Sequence, residues 1–213
     1  MAELILVGGG AHARSVLAAL MLQGATVRGY VDPHPSVLVA DCPYLGGDDV
    51  LDTIDAREVQ FVNGLGSTAS TAARRVLYES VIARGLRPAQ VIHERAFVDP
   101  GVVVGAGVQV LAGAIVNTGT VLGEDVIINS GAIIEHDVTV GAHSHVAPGA
   151  VLAGGVSLGE GVHVGLGARI IHGVTVGAGS VIGAGAVVID DVPSGHVVVG
   201  VPAKPIRREE GSA

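Results

Sequence analysis

A six-residue period without insertions runs through the chain from Ala96 to Asp191. Val, Leu or Ile occupies the third position of every unit, and the sixth position is most often glycine. An apolar position that repeats so strictly marks a solenoid, in which each unit buries its face only against its neighbours. Six residues are too few for a helical repeat, but they suit a short β-branched strand followed by a tight turn with positive φ. The array therefore predicts an all-β parallel β-helix of roughly five triangular coils, stacked about 4.8 Å apart.

The chain of 213 residues has the length of one large or two small domains, and its formal charge of −8 argues against a nucleic-acid partner. Cys42 is the only cysteine, which excludes an internal disulfide and fits a reducing cytosol. No apolar segment reaches the eighteen or so residues of a membrane span, and the first residues lack the basic region of a signal peptide. These features predict a cytoplasmic protein.

The first ninety residues alternate strand and helix patterns, in the order β-α-β-(α)-β-α-β. Ser67 or Thr68 is a candidate cap for the last helix, predicted from about Ser70 to Ala83. This order predicts a small Rossmann-like α/β domain with a parallel sheet. We expect a Rossmann-like domain over residues 1–90, a β-helix over 91–191 and a tail over 192–213. The predicted strands are 3–7, 26–31 and 57–62.

The first strand is followed by a glycine-rich turn that fits G-x-G-x-x-A at Gly8, Gly10 and Ala13, with Asp32 about twenty residues on. In such turns, backbone N–H groups and a helix N-terminus face a diphosphate, and the acid meets a ribose hydroxyl. The domain is about half the size of a dinucleotide fold, so the turn favours a nucleotide sugar over a dinucleotide or a purely structural turn. His12 and Arg14 are within reach of the phosphate or the sugar.

His136 is the candidate catalytic residue of the β-helix. It is the fifth residue of its unit, at a predicted corner, and small residues lie eighteen positions on either side of it. Glu135 and Asp137 flank it, and a carboxylate can fix the tautomer of a general-base histidine and raise its basicity. For His145 we leave open whether it belongs to the site or lies on the surface.

The other histidines of the β-helix are interpreted as solvated surface residues: His143, His163 and His172. The spacing of His143 and His145 occurs in metal sites, but no third ligand matches it, and we expect no metal. Cys42 lies in the wrong domain for a nucleophile, so we expect it to be a core or loop residue.

These motifs together resemble one family. They are the glycine turn, the hexapeptide array, Asn129, the segment from Ile134 to Asp137, the segment from Ser144 to Val146, and the closing stretch from Val199 to Pro205. The family is the bacterial nucleotide-sugar acetyltransferases of the left-handed β-helix superfamily. It includes UDP-4-amino-sugar N-acetyltransferases, GDP-perosamine N-acetyltransferase and sialic acid O-acetyltransferases. The one departure is Ala11, where the turn usually has a further glycine.

The resemblance implies a left-handed helix and a homotrimer, with acetyl-CoA as co-substrate in the groove between neighbouring chains. His136 then matches the catalytic base and Asp137 the acid that follows it. Asn129 and His145 match positions that lie near the acceptor in the family. His12 and Asp32 match positions that contact the nucleotide. Positions that line the pantetheine of CoA are matched by Gly154, Leu166 and Ala184. The basic tail with Lys204, Arg207 and Arg208 is a candidate for the CoA phosphates.

The predicted function is acetyl-CoA-dependent N-acetylation of the 4-amino group of a GDP- or UDP-linked 4-amino-4,6-dideoxy sugar, in glycan biosynthesis. The transfer is direct, with His136 as general base, and requires no metal. One alternative is O-acetylation of sialic acid or a related sugar hydroxyl. Another is a non-catalytic trimeric scaffold with a nucleotide-sensing domain. A serine or lipid A acyltransferase is less favoured, because those usually lack a Rossmann-like domain in front.

Overall fold

The N-terminal domain is a five-stranded parallel sheet with strand order β3-β2-β1-β4-β5, as expected for a Rossmann-like domain. The structure is a computed structural model that describes residues 3–206. Within that range no helix is long and apolar enough to cross a membrane. The elements of the domain are β1 (Glu3–Val7), α1 (Ala11–Leu22), β2 (Val27–Val31), a 3-10 helix (Val37–Val39), β3 (Tyr44–Gly46), a 3-10 helix (Asp48–Thr53), β4 (Val59–Asn63), α2 (Ala72–Ala83) and β5 (Arg87–Pro88).

Two local expectations for this domain were wrong. The optional helix between β2 and β4 is replaced by the two 3-10 helices and β3, in a segment where Pro33, Pro35 and Pro43 lack the N–H that a long helix needs. The α2 helix begins at Ala72, and the side chain of Ser67 does not cap it. The Ser67 hydroxyl lies instead 2.7 Å from Nδ1 of His145 in the second domain.

The second domain is a left-handed β-helix whose two-residue strands form three faces. Face 1 consists of β7 (Phe97–Val98), β10 (Ile115–Val116), β13 (Ile133–Ile134), β16 (Val151–Leu152), β19 (Arg169–Ile170) and β22 (Val187–Val188). Face 2 consists of β8 (Val103–Val104), β11 (Val121–Leu122), β14 (Thr139–Val140), β17 (Ser157–Leu158) and β20 (Thr175–Val176). Face 3 consists of β6 (Val91–Ile92), β9 (Gln109–Val110), β12 (Ile127–Ile128), β15 (His145–Val146), β18 (His163–Val164), β21 (Val181–Ile182), β23 (Val197–Val199) and the antiparallel β24 (Lys204–Pro205).

Residues eighteen positions apart pair in register, as the repeat predicted. On face 1, Ile115 pairs with Ile133, and Ile133 pairs with Val151. From Val110 onwards every third-position side chain points inwards and is at most 2 % exposed. The core of the helix is therefore a column of Val, Leu and Ile, together with the Ala and Val side chains of the first positions.

Glycines fill two different roles at the corners. From Gly107 to Gly185 the sixth-position glycines take a positive φ, as at Gly179 (φ +67°), where a Cβ would meet open space. At the fourth position after face 2 they allow close stacking of the coils, because a Cβ on Gly159 would lie 2.6 Å from the backbone nitrogen of Ala178. One role is conformational and the other is steric.

These roles predict different costs for the same substitution. Gly159→Ala forces two backbones apart, so we expect a loss of about 3 kcal/mol or more in the free energy of unfolding. Gly179→Ala adds only the left-handed penalty of about 1–2 kcal/mol. Chemical denaturation of both variants measures the difference, and equal losses would contradict the assignment of the two roles.

Candidate active site

Two cavities meet between the domains, and we call them together the joint cavity. The first, about 450 Å³, lies at the N-terminus of α1, and the second, about 430 Å³, runs along face 3. Both are lined by Ser67, Thr68, Asn129 and His145. A larger cavity of about 750 Å³ lies near the amino ends of β1 and β4, and none of the described residues that line it has a titratable side chain.

The glycine turn delivers only part of its predicted site residues to the joint cavity. Gly10 lines it and has open space where a Cβ would be, whereas Gly8 (φ +101°) packs against the backbone of Gly64. Asp32 accepts a 2.8 Å hydrogen bond from the backbone nitrogen of Gly9, so its carboxylate braces the turn from outside the cavity lining.

Two further residues of the turn, Ala13 and Arg14, do not line the cavity. Ala13 is buried in the core behind the turn, and Arg14 is exposed. The turn can therefore offer a ligand the backbone of Gly10 and the first turn of α1, where N–H groups are free and the helix dipole is positive.

His12 lines the joint cavity and also ties the two domains together. Its Nε2 lies 2.7 Å from Oε1 of Gln109 on β9. The amide nitrogen of Gln109 already donates to the carbonyl of Asn63, so Oε1 is the acceptor and His12 Nε2 carries the proton. Burial, with the nearby Arg74 charge, lowers the pKa of His12 to about 4. The imidazole is therefore neutral at pH 7.

His145 belongs to the same cavity, which the sequence had left open. Its Nδ1 lies 2.7 Å from the hydroxyl of Ser67 and its Nε2 lies 2.9 Å from the amide nitrogen of Asn129. Burial lowers its pKa to about 3, with smaller contributions from the charges of neighbouring groups. His145 is thus a neutral, hydrogen-bonded imidazole held by residues of both domains.

Two histidines expected at the solvated surface are buried. His163 is 5 % exposed, because the N-terminal domain covers face 3. Its ring meets the ring of His145 edge-on, with the two ring centroids 5.2 Å apart. His143 is 4 % exposed and lies against the edge of the Tyr78 ring. His172 is exposed, as expected. Cys42 is buried in the core of the first domain, as expected.

His143 is part of a buried ion cluster, which also contains Arg74 and Asp125. Nη2 of Arg74 donates to Oδ1 of Asp125 at 2.7 Å, and Nδ1 of His143 lies 3.2 Å from the other carboxylate oxygen. Asp125 and His143 have φ values of +55° and +58° at sixth positions, where most units have glycine. The sequence signal for this cluster was the missing glycine at these two positions.

Arg74 also holds the loop that follows β4. Its Nη1 donates to the carbonyls of Leu65 (2.5 Å) and Asn63 (3.2 Å). The amide nitrogen of Asn63 donates to Oδ1 of Asp125, and Oδ1 of Asn63 accepts from the backbone nitrogen of Leu65. The ion cluster therefore fixes the loop that ends in Ser67, on the edge of the joint cavity.

His136 and Asp137 form a separate pair at the corner between faces 1 and 2. Nδ1 of His136 lies 2.9 Å from Oδ2 of Asp137, and the imidazole is 55 % exposed. A Cβ on Gly154, one coil above, would lie 2.6 Å from Nε2, so this position must be glycine for the ring to occupy it. Glu135 turns away and accepts from Asn117, so of the two flanking acids only Asp137 orients the ring.

The candidate residues lie at different corners of one chain. Asn129 follows face 3, at the corner before face 1, and His145 is on face 3 itself, whereas His136 follows face 1. Leu166 and Ala184 line the joint cavity on the side of face 3, but Gly154 does not. One chain therefore does not bring His136 and the joint cavity together.

The tail is described only in part. The ammonium of Lys204 on β24 lies 3.8 Å from a carboxylate oxygen of Asp190. Because the Lys204 side chain is exposed, its ammonium is accessible to a ligand. Arg207 and Arg208 lie outside the described residues. Between residues 3 and 206, no three His, Cys, Asp or Glu side chains are grouped so that they could hold a metal ion.

Comparisons with known proteins match both domains. Residues 3–81 match the PglD N-terminal domain, and residues 119–154 match the bacterial transferase hexapeptide family. PerB from Caulobacter crescentus, solved in complex with CoA and GDP-perosamine, is 37 % identical with a TM-score of 0.91, over 97 % of this chain and 98 % of that one. A search of curated proteins found no match.

Two further structures cover nearly the whole chain. The acetyltransferase domain of PglB from Neisseria gonorrhoeae is 32 % identical with a TM-score of 0.91, over 97 % of this chain and 100 % of that one. WeeI from Acinetobacter baumannii, at 20 % identity, shares the fold, with a TM-score of 0.86 over 96 % of this chain and 99 % of that one. The fold and site define a hexapeptide-repeat acyltransferase. The chain belongs to the nucleotide-sugar acetyltransferases of this superfamily that carry a PglD-type N-terminal domain.

The buried ion cluster predicts a strongly asymmetric response to mutation. Arg74→Met leaves the Asp125 carboxylate buried without its cation, so we expect a loss of about 3–5 kcal/mol in the free energy of unfolding. A second substitution in the same chain, Asp125→Gly, removes the unpaired buried charge and places a glycine where φ is positive. We expect the double variant to recover about half of the loss in urea denaturation. A double variant less stable than Arg74→Met alone would contradict this account.

The lowered pKa of His145 predicts that acid destabilises the fold. The unfolded chain binds a proton below about pH 6.5, whereas the folded chain does not until about pH 3. Stability should therefore fall between pH 6.5 and 4.5, by up to about 1.4 kcal/mol per pH unit from this one residue. In denaturation curves across that range, His145→Gln should show a shallower dependence on pH. An unchanged dependence would contradict the buried neutral state.

Proposed function

We propose that the protein transfers the acetyl group of acetyl-CoA to the 4-amino group of a nucleotide-linked 4-amino-4,6-dideoxy sugar. The observation that carries this proposal is the exposed His136–Asp137 pair, in a chain that matches a structure holding CoA and GDP-perosamine over 97 % of its length. The proposed substrate carries a primary amine, and a thioester is the matching acyl donor.

His136 acts as the general base in this proposal. Nδ1–H donates to Asp137, which leaves the lone pair of Nε2 exposed beside Gly154. The sugar nitrogen attacks the thioester carbonyl, the C–N bond forms, and Nε2 takes the proton of the amine. The C–S bond then breaks, and the CoA thiolate regains a proton from the imidazolium. Asp137 stabilises the imidazolium between these steps.

The remaining candidate residues bind the nucleotide and CoA in this proposal. In the proposal, the diphosphate lies at the N-terminus of α1, beside Gly10 and His12, in the part of the joint cavity where the helix dipole is positive. The pantetheine lies along face 3, beside Leu166 and Ala184, and Lys204 meets a CoA phosphate.

The site is completed by a neighbouring copy of the chain. His136 and Gly154 lie at one corner of the β-helix, while Asn129 and His145 lie at face 3 beside the preceding corner. Packing of the first corner of one chain against face 3 of the next would bring both sets to one substrate. A closed ring of three chains satisfies this arrangement at every interface. We place this reaction in the cytoplasm, in a pathway of glycan biosynthesis.

The test of this function is an acceptor panel. The purified protein is incubated with acetyl-CoA and with GDP-, UDP- and dTDP-linked 4-amino-4,6-dideoxy sugars, plus free sialic acid, and CoA thiol release and product mass are followed. Acetylation of the amine of one nucleotide sugar supports the proposal and names the nucleotide. Acetylation of sialic acid alone would overturn it in favour of O-acetylation. Absence of both turnover and CoA binding would favour a scaffold.

The base assignment predicts the effect of removing the imidazole. His136→Asn should lower kcat by about 10²–10⁴-fold, because the amine then loses its proton acceptor. CoA binding and the oligomeric state in sedimentation should be unchanged. His172→Asn is the matched control, since His172 takes the same position of its unit two coils above and is also exposed. Equal activity losses in the two variants would contradict the role of His136.

A further inference from the structure

We propose that Ser67 is a nucleotide-binding residue, whose hydroxyl donates a hydrogen bond to the diphosphate of the substrate. The inference rests on the proposed function for the presence of a nucleotide substrate. It assigns a role to a side chain in which the sequence pattern suggested only a helix cap. A chain of hydrogen bonds runs from Asn129 through His145 to Ser67.

The chain of protons begins at Asn129. Its Oδ1 accepts a 2.8 Å hydrogen bond from the backbone nitrogen of Ser130, which fixes the orientation of the amide. The amide nitrogen therefore faces Nε2 of His145 at 2.9 Å and donates to it. Because Nε2 is an acceptor and His145 is neutral, the single imidazole proton is on Nδ1.

This tautomer fixes the role of the Ser67 hydroxyl. Nδ1–H of His145 donates to Oγ of Ser67 over 2.7 Å. The hydroxyl oxygen is then an acceptor toward His145, and its own proton is directed away from the imidazole. Ser67 lines both halves of the joint cavity, so this proton is available to a ligand there.

The surroundings of Ser67 favour an anionic ligand. Among residues 3–206, no carboxylate lines the cavity at the N-terminus of α1, and the first-turn N–H groups of the helix lie at this end. The polar side chains that line it are Ser67, Thr68 and Ser70, the neutral His12 and His145, and Asn129. A site with a positive helix end, hydroxyl donors and no negative charge suits a phosphate.

The position of Ser67 is set before any ligand binds. The Leu65 carbonyl is held by Arg74, and a Cβ on Gly66 would lie 2.9 Å from Cβ of His12, so the loop packs closely on α1. A donor held in this way loses little conformational entropy when a ligand binds. The geometry therefore assigns to Ser67 a hydrogen-bond donor that is already in position when the nucleotide binds.

The experiment measures nucleotide binding without turnover. GDP, UDP and dTDP are titrated calorimetrically into the full chain, in the absence of acetyl-CoA, for wild type, Ser67→Ala and Ser67→Thr. Loss of a hydrogen bond to a charged group corresponds to about a tenfold or greater rise in Kd. We expect that rise for Ser67→Ala, and affinity within about threefold of wild type for Ser67→Thr, which keeps the hydroxyl.

Ser80→Ala is the matched control, because Ser80 is a partly buried serine on α2 whose hydroxyl bonds only within that helix. Its nucleotide affinity should equal that of wild type. Wild-type affinity in Ser67→Ala would overturn the proposal, and so would equal weakening in Ser67→Ala and Ser67→Thr. A wild-type chain that binds one of these nucleotides but acetylates no acceptor would overturn the proposed function alone. A wild-type chain that binds none of the three would overturn both.

Discussion

The left-handed backbone conformation at the end of the six-residue units, from Gly107 to Gly185, is the constraint on which this structure depends. Glycine satisfies it at most corners without strain, and another residue costs up to about 1–2 kcal/mol there, with Asp and His among the residues that tolerate it best. The described chain accepts this cost at three places, Asp125, Asp137 and His143. Asp137 orients the His136 ring, and the other two belong to the buried ion cluster. The strained corners are therefore where side chains do something that glycine cannot.

The ion cluster connects the two domains and the candidate site. A buried ion pair contributes little net stability, because desolvation of both charges offsets their attraction. What the Arg74–Asp125 pair supplies is position: it joins α2 to a corner of the β-helix and at the same time holds the carbonyl of Leu65. The rigid frame of the β-helix thereby extends through the loop to Ser67 and, through its hydroxyl, to His145.

The repeat predicted most of the fold, because periodic burial leaves a periodic sequence. Inward third positions, an eighteen-residue register and the corner position of His136 all follow from it. Burial by another domain leaves no such trace, and for that reason His143 and His163 were assigned to the solvent. The motif also did not predict which residues of the glycine turn reach the cavity. The motif cannot reveal that the Asp32 carboxylate accepts from the Gly9 nitrogen.

The division of the chemistry between two corners follows from how the domains pack. The N-terminal domain covers face 3, so the imidazoles of His145 and His163 are desolvated and neutral, suited to hydrogen bonding and not to carrying charge. In the proposed reaction the base has the opposite requirement, since it must gain a proton, and the proposed base His136 lies on an exposed corner beside a carboxylate. Within one chain the exposed corner and the covered face lie apart. In the proposed assembly, a second chain brings its open corner to the covered face, so that one substrate meets both environments.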